Sequence, residues 1–248
     1  MTSVANVKQR QRLSEKGTRD KILDAAEIEF SARGYEGCSL RMISESNDIN
    51  LGLIYYYFDG KEGLFSEAYL RRSKALVNRR KALLREAKRR YEKGPIPVEE
   101  IVRSFFAPLV EMTKQGKGPH AWIRLQGLLR GNPSDFSRKL RGQALNASNK
   151  MFIRELRRSC PHLTPASVVW RFSAMVGGFY SLISRSARVE DLSDGACDSS
   201  DVDTALAEAL PFFVRAFEAP PPATPDPALI TPPSRPVRLQ RRNRPLRA

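Results

Sequence analysis

One stretch limits the fold of this chain more than any other: residues 39–61, SLRMISESNDINLGLIYYYFDGK. It holds two short apolar-periodic segments, Leu40–Ser46 and Leu51–Phe58, separated by Asn47-Asp48-Ile49-Asn50. Asn and Asp tolerate left-handed backbone and bond to nearby backbone groups, so they suit a connection of a few residues. Ser39 and Asn50 stand where N-caps belong. Leu40, Ile43 and Ser44 form a narrow buried edge on the first helix, with Arg41 and Glu45 outward; Ile54 and Phe58 form it on the second. Two short helices crossing at such a turn predict a helix-turn-helix.

The second of these helices has no charged residue from Asn50 to Phe58 and carries three consecutive tyrosines, Tyr55, Tyr56 and Tyr57. Successive helical residues are about 100° apart, so three in a row cannot all face one core. The outward set suits a DNA groove. Gly52 lets the backbone come close to a phosphate or base edge. Tyrosine hydroxyls donate to phosphate oxygens and their rings touch thymine methyls. Arg41 has the reach for a bidentate contact to guanine, and Lys61, opening the next helix, suits a phosphate contact. The competing reading of the tyrosines is an aromatic core cluster.

The series Ser39-x-x-x-Ile43, then Ile49-Asn50-x-Gly52-x-Ile54-Tyr55-x-Tyr57-Phe58-x-x-Lys61-x-x-Leu64, resembles the DNA-binding domain of TetR-type transcriptional regulators over about residues 18–66. The resemblance implies an all-α homodimer on a palindromic operator, released by a small-molecule effector. By position it implies Leu40 and Arg41 near the groove, Leu51 and Gly52 approaching bases, Tyr55 on base or phosphate, and Tyr56, Tyr57 and Lys61 on phosphate. Asn47-Asp48 departs from the usual Ala-Gly of the family's turn, and Ser44 from its usual alanine.

The remaining chain reads as helices around this unit. Residues 1–17 are polar and basic and are expected as a disordered arm. A helix capped by Thr18, with Asp20 in its first turn, should run to Gly34. A helix from Lys61 to about Arg90 should link head to body, ended by Gly94-Pro95-Ile96-Pro97. The body, residues 67–218, contains helical patterns over 98–112 with Pro108 inside, 120–130, 134–160, 165 to about 189, and 202–217. Phe105, Phe106, Trp122, Leu125, Leu129, Phe152 and Met175 are candidates to line an apolar ligand pocket between helices, or else ordinary core. Trp170, Gly177, Gly178, Leu206, Leu210 and Phe213 are candidates for a dimer seam in which two helices per subunit form a four-helix bundle, or else intrachain packing. The run from Trp122 to Phe172 resembles body domains of TetR-type regulators that sense acyl or fatty-acid-derived ligands. Residues 219–248, rich in Pro and then Arg, are expected to be an extended, disordered tail.

A net charge of +15 suits a polyanionic partner, and the excess crowds both ends of the chain. The alternative function at this stage is a basic architectural DNA-binding or membrane-surface protein with no ligand response. Enzyme chemistry finds no support. His120 and His162 lack metal-ligand spacing, and no phosphate loop or nucleophile motif occurs, so neither cofactor nor metal is expected. Cys38, Cys160 and Cys197, odd in number and far apart, fit free thiols in a reducing compartment. Without an apolar N-terminal segment or a run of about 20 apolar residues, the expected location is cytoplasmic, with no membrane partner.

Overall fold

A computed structural model of the chain describes residues 2–221 except 133, 185 and 186, with side chains from residue 17 onward except at 117. Among the described residues every regular element is a helix: α1 Thr2–Gly37, α2 Leu40–Ser46, α3 Leu51–Phe58, α4 Lys61–Arg90, α5 Val98–Thr113, α6 Lys117–Gly131, α7 Asp135–Ser159, α8 Pro165–Ile183, α9 Arg188–Leu192 and α10 Val202–Glu218. Several helices of the body start at a side-chain cap. Ser134, Thr164 and Asp201 accept from backbone N–H groups at the starts of α7, α8 and α10.

The N-terminal reading is corrected. The chain is helical from Thr2, where an unstructured arm was expected, and Thr18 falls inside α1 rather than capping it. The segment VANVKQRQRLSEK consists largely of good helix formers, enough for α1 to propagate backward past Thr18 in spite of Gly17. Gly34 does break the helical geometry, with φ 71°, and the chain kinks there. The Pro/Arg-rich tail lies outside the described residues from 222 on.

Head and body share one continuous apolar interior. In the head, Ile22, Leu23, Ala26 and Phe30 of α1 meet Ile43, Ile54, Phe58, Leu64 and Phe65. α1 then packs against α6 of the body more extensively than any other helix pair in the chain. Buried polar contacts fix the junction. The Trp122 indole N–H donates to the Tyr69 carbonyl at 3.0 Å, and Gln126 Nε2 donates to the Tyr69 hydroxyl at 2.8 Å.

The body core is aromatic. Phe105 packs edge-on against Phe106, Phe152 and Phe172, and Phe106 lies 4.2 Å from Phe179 between ring centroids. α8 and α10 are tied at one end by Arg171, whose guanidinium donates to the carbonyls of Ala216, Ala219 and Pro220. The Ala216 carbonyl is in the last turn of α10 and Ala219 caps it, so the cation satisfies acceptors left open at a helix C-terminus. By length and hydropathy α8 alone, among the described residues, resembles a membrane span. Its buried side packs on the body core and its other side is exposed.

Candidate nucleic-acid interface

α2 and α3 are set by short-range bonds that the sequence itself dictates. Ser39 Oγ accepts from Met42 N at 3.1 Å, and Asn50 Oδ1 accepts from Gly52 N at 2.7 Å. Within the turn, the Asn47 amide donates to the Ile43 carbonyl, Ser44 Oγ donates to the Ile49 carbonyl at 2.6 Å, and Asp48 takes φ 51°. Asn, Asp and Ser here do the work that a small-residue turn would do by steric freedom alone.

α3 is held along one face only. Ile54 and Phe58 are fully buried, while Tyr55 and Tyr56 are 57% and 76% exposed. Tyr57 is half-buried, its ring packed against Tyr56 and Phe58. Gly52 is exposed, and a Cβ there would meet the Asn50 cap oxygen at 3.1 Å. The outer surface of α3 is therefore uncharged and carries two exposed phenol rings. Arg41 on α2 is exposed beside it and donates to Glu45 at 2.7 Å.

Three residues that the resemblance implies at the DNA are set back from the surface, Leu40 among them on the buried edge that its spacing predicts. Leu40 is buried in the head core, because its position on α2 repeats the face of Ile43. Leu51 is half-buried against the same core. Lys61 is held back, with its ammonium 4.5 Å from the centroid of the Tyr35 ring.

Behind α3 lies a buttress that the sequence reading missed. Glu27, on α1, is fully buried. It accepts from Arg71 Nε and Nη2 at 3.1 and 2.6 Å and from Arg72 Nε at 3.0 Å, both arginines being on α4. Burial pushes the Glu27 carboxyl up, against the two guanidiniums that pull it down. Arg19 pairs with Glu67 and lies over the Phe58 ring, joining α1, α4 and α3. The signal was a carboxylate on the apolar face of α1, in ILDAAEIEF. Gly63 was also missed: a Cβ there would stand 1.8 Å from the Phe58 carbonyl oxygen, so the α3–α4 corner admits only glycine.

The apolar pocket candidates are interior. Phe105, Phe106, Trp122, Phe152 and Met175 are buried, and the phenylalanine rings close on one another. Leu125 and Leu129 border a space of about 200 Å³ between α6 and the Gly34 kink. A larger space, an open groove of about 550 Å³, lies between α6 and α8, lined by Arg124, Leu128, Arg130, Gly177, Tyr180 and Ser181 among others. The expected cluster of rings packs too closely to leave room, and open space is left where glycines and polar side chains meet.

The seam candidates divide. Trp170 is 76% exposed and Gly178 is exposed; Gly177 and Leu206 are half-buried. Leu210 and Phe213 are turned into their own body, with Phe213 against Phe106. The helical repeat puts 210, 213 and 217 on the stripe that packs on α5 and leaves Phe212, 69% exposed, facing out instead.

A helix-turn-helix with a bare aromatic face, fixed to an all-helical body, defines the class of DNA-binding transcriptional regulators. Residues 22–68 match the family described as bacterial regulatory proteins, tetR family. Residues 103–216 match the tetracyclin repressor-like C-terminal domain. The chain belongs to the TetR family, whose members are transcriptional regulators and not enzymes. It is 44% identical over 63 residues to the probable HTH-type transcriptional regulator YttP of Bacillus subtilis, covering 24% of this chain and 30% of that protein. It is 40% identical over 50 residues to the biofilm operon icaADBC negative transcriptional regulator IcaR of Staphylococcus epidermidis, covering 20% and 27%. The chain thus matches under a third of the length of these relatives. Among solved structures, the fatty acid degradation regulator FadR from Bacillus halodurans superposes with a TM-score of 0.55 at 16% identity, over 78% of this chain and 94% of that one. A putative tetR family regulator from Shewanella gives 0.55 at 15% identity, over 80% and 97%. At such identities the likeness is one of fold.

Proposed function

We propose that this protein is a ligand-responsive repressor acting in the cytoplasm as a homodimer on a palindromic operator. In this reading residues 18–66 are the DNA-binding head and 67–218 the sensing and dimerisation body. The observation that carries it is the outer face of α3, where Gly52, Tyr55 and Tyr56 are exposed while Ile54 and Phe58 are locked into the core. Arg41 flanks that face, and on reaching a guanine it exchanges Glu45 for the base edge. Tyr57 and Lys61 sit at its rim, where small side-chain rotations bring them to phosphate. The negative regulator IcaR among the relatives supports repression as the polarity.

Dimerisation is supported by the uncovered apolar residues Val169, Trp170 and Phe212, which share one side of the body with the small residues Ala174, Gly177 and Gly178. Such a face suits a second copy of itself across a two-fold axis. Effector binding then favours a dimer whose two α3 helices no longer match successive major grooves, about 34–36 Å apart.

Selection of bound DNA from a random library tests the reading. A palindromic consensus is expected, with Arg41→Ala and Tyr55→Phe weakening binding to it while melting like wild type. Trp170→Asp with Phe212→Asp is expected to yield a monomer in sedimentation, with operator affinity lost. Recovery of sequence-independent DNA with a steep salt dependence would instead favour a basic architectural protein.

A further inference from the structure

The interior of the body between α4, α6 and α8 is polar, and its hydrogen bonding is incomplete. Arg80, midway along α4, is 1% exposed. Its Nε donates to the Phe105 carbonyl at 2.8 Å, and its guanidinium lies 3.5 Å from the Phe105 ring centroid. Its Nη2 completes no well-aligned hydrogen bond. Tyr180 of α8 is 2% exposed, and its hydroxyl faces this guanidinium and interacts with it, without completing a well-aligned hydrogen bond. Arg130 of α6 stands over the Tyr180 ring at 4.7 Å, with its Nε unpartnered. Gln126, one turn earlier, has a free Oε1. Reversing its amide lets Tyr69 donate to Oε1 and turns Nε2 into a further donor.

The imbalance is of charge as well as of bonds. Arg71, Arg72, Arg79 and Arg90 on the same helix each hold a carboxylate. Arg80 is more deeply buried than any of these, yet among the described residues neither it nor Arg130 pairs with one. A buried cation without a counter-ion is costly to keep, and natural interiors pair such charges. Burial also pushes the Tyr180 phenol up, so at neutral pH it is a donor and not a second anion. Positive charge gathers here, and Arg130 and Tyr180 line an open groove of about 550 Å³ between α6 and α8, with Arg80 buried behind Tyr180.

We propose that this is the effector site, and that its ligand is a small organic anion, a carboxylate or a phosphate ester. The charged end lies at Arg130 and Tyr180, with Arg80 behind them, and the apolar remainder lies along the groove beside Leu128. This rests on the ligand-responsive reading above and adds a negative charge to an effector expected to be mostly apolar. It also supplies the coupling. Arg80 belongs to the helix that starts at the corner with α3 and carries the Arg71–Arg72 clasp, so an anion drawing on Arg80 in one arrangement of α4 and not in another biases the head.

The test is calorimetric titration of the full-length protein, without DNA, with sodium octanoate, octyl phosphate and octan-1-ol. At least one of the two anions is expected to bind, at least about tenfold more tightly than the alcohol. The ratio between them separates carboxylate from phosphate. Arg80→Met and Arg130→Met should each weaken that anion by about tenfold or more and leave the alcohol unchanged. Tyr180→Phe, which keeps the ring and the packing, should weaken it by about threefold or more and guards against a folding failure in the arginine variants. Alcohol binding as tight as the anions, no binding of either anion at millimolar concentration, or undiminished anion binding by a folded Arg80→Met would overturn the assignment. Operator release is measured separately. Anion binding without release supports the site while sinking the ligand-response reading, whereas intact operator binding with no anion binding sinks the site alone.

Discussion

Replacing Glu27 by alanine strikes the fastening between α1 and α4. Three guanidinium N–H groups converge on this carboxylate at 2.6–3.1 Å, and the carboxylate itself is sealed from water. Breaking a buried pair by deleting one partner costs about 3–5 kcal/mol, because it strands the other charge. Here the arginine side chains retain 26% exposure and Arg71 keeps Asp24 at 2.6 Å, which sets the loss at the low end, about 3 kcal/mol. For a chain of this size that lowers Tm by about 6–12 °C at fixed protein concentration. Thermal and urea unfolding would read it, with Glu86→Ala as control. The Glu86–Arg90 pair spans 3.7 Å with both side chains more than half exposed, and its loss should stay within about 0.5 kcal/mol. Operator affinity should fall along with stability, since the clasp holds the head. Replacing Glu27, Arg71 and Arg72 together by methionine should recover most of the lost stability, as no charge is then stranded. A Glu27→Ala loss no larger than the control's, or a triple variant less stable than the single one, would refute the reasoning.

Gly63→Ala should lose roughly 2 kcal/mol or more and weaken operator binding, since the new methyl must displace the Phe58 carbonyl; denaturant midpoints and DNA titration check both. Arg80→Met should leave stability unchanged or raise it. Burial pushes the Arg80 guanidinium down to about 10 from 12.5, so housing the charge costs about 3 kcal/mol, an upper bound on the gain. A loss beyond about 2 kcal/mol would mean that its bond to Phe105 and its ring stacking dominate. Arg79 holds the Glu111 carboxyl below its ordinary value of 4.5. A depressed carboxylate contributes stability above its unfolded pKa and loses it as pH falls through the folded one. Wild type should therefore lose stability below about pH 4.5 that Glu111→Gln does not lose.

The helical architecture was legible because several helices carry their own punctuation. Ser39, Asn50, Ser134 and Thr164 cap, and Gly34 with Gly94-Pro95 interrupts. The α4 bounds, Lys61 to Arg90, follow from apolar spacing together with the stop at Gly94-Pro95. The start of α1 was misread, since basic, polar composition resembles disorder even when propensity favours helix. The outward tyrosines were legible from the 100° step and the inward turn of Leu40 from its spacing to Ile43; the seat of Lys61 on the Tyr35 ring was not, because the two lie on different helices. Pocket position was least legible. Aromatic residues advertise a cavity in sequence and fill it in space, whereas the space left open depends on Gly127, Gly131 and Gly177 meeting across two helices. Arg80 looks like an ordinary surface charge until distant helices close over it.

The contact between the Gly63 backbone and the Phe58 carbonyl has a bearing on protein engineering. It welds α3 to the first turn of α4, so the reading unit cannot be cut out at the loop between them without losing its set angle. A chimera that grafts this reader onto a foreign sensor should be spliced within α4 beyond Arg72, carrying Glu27 and both clasp arginines as one cassette. A splice at residues 59–60 would deliver the same tyrosines on a helix aimed at random.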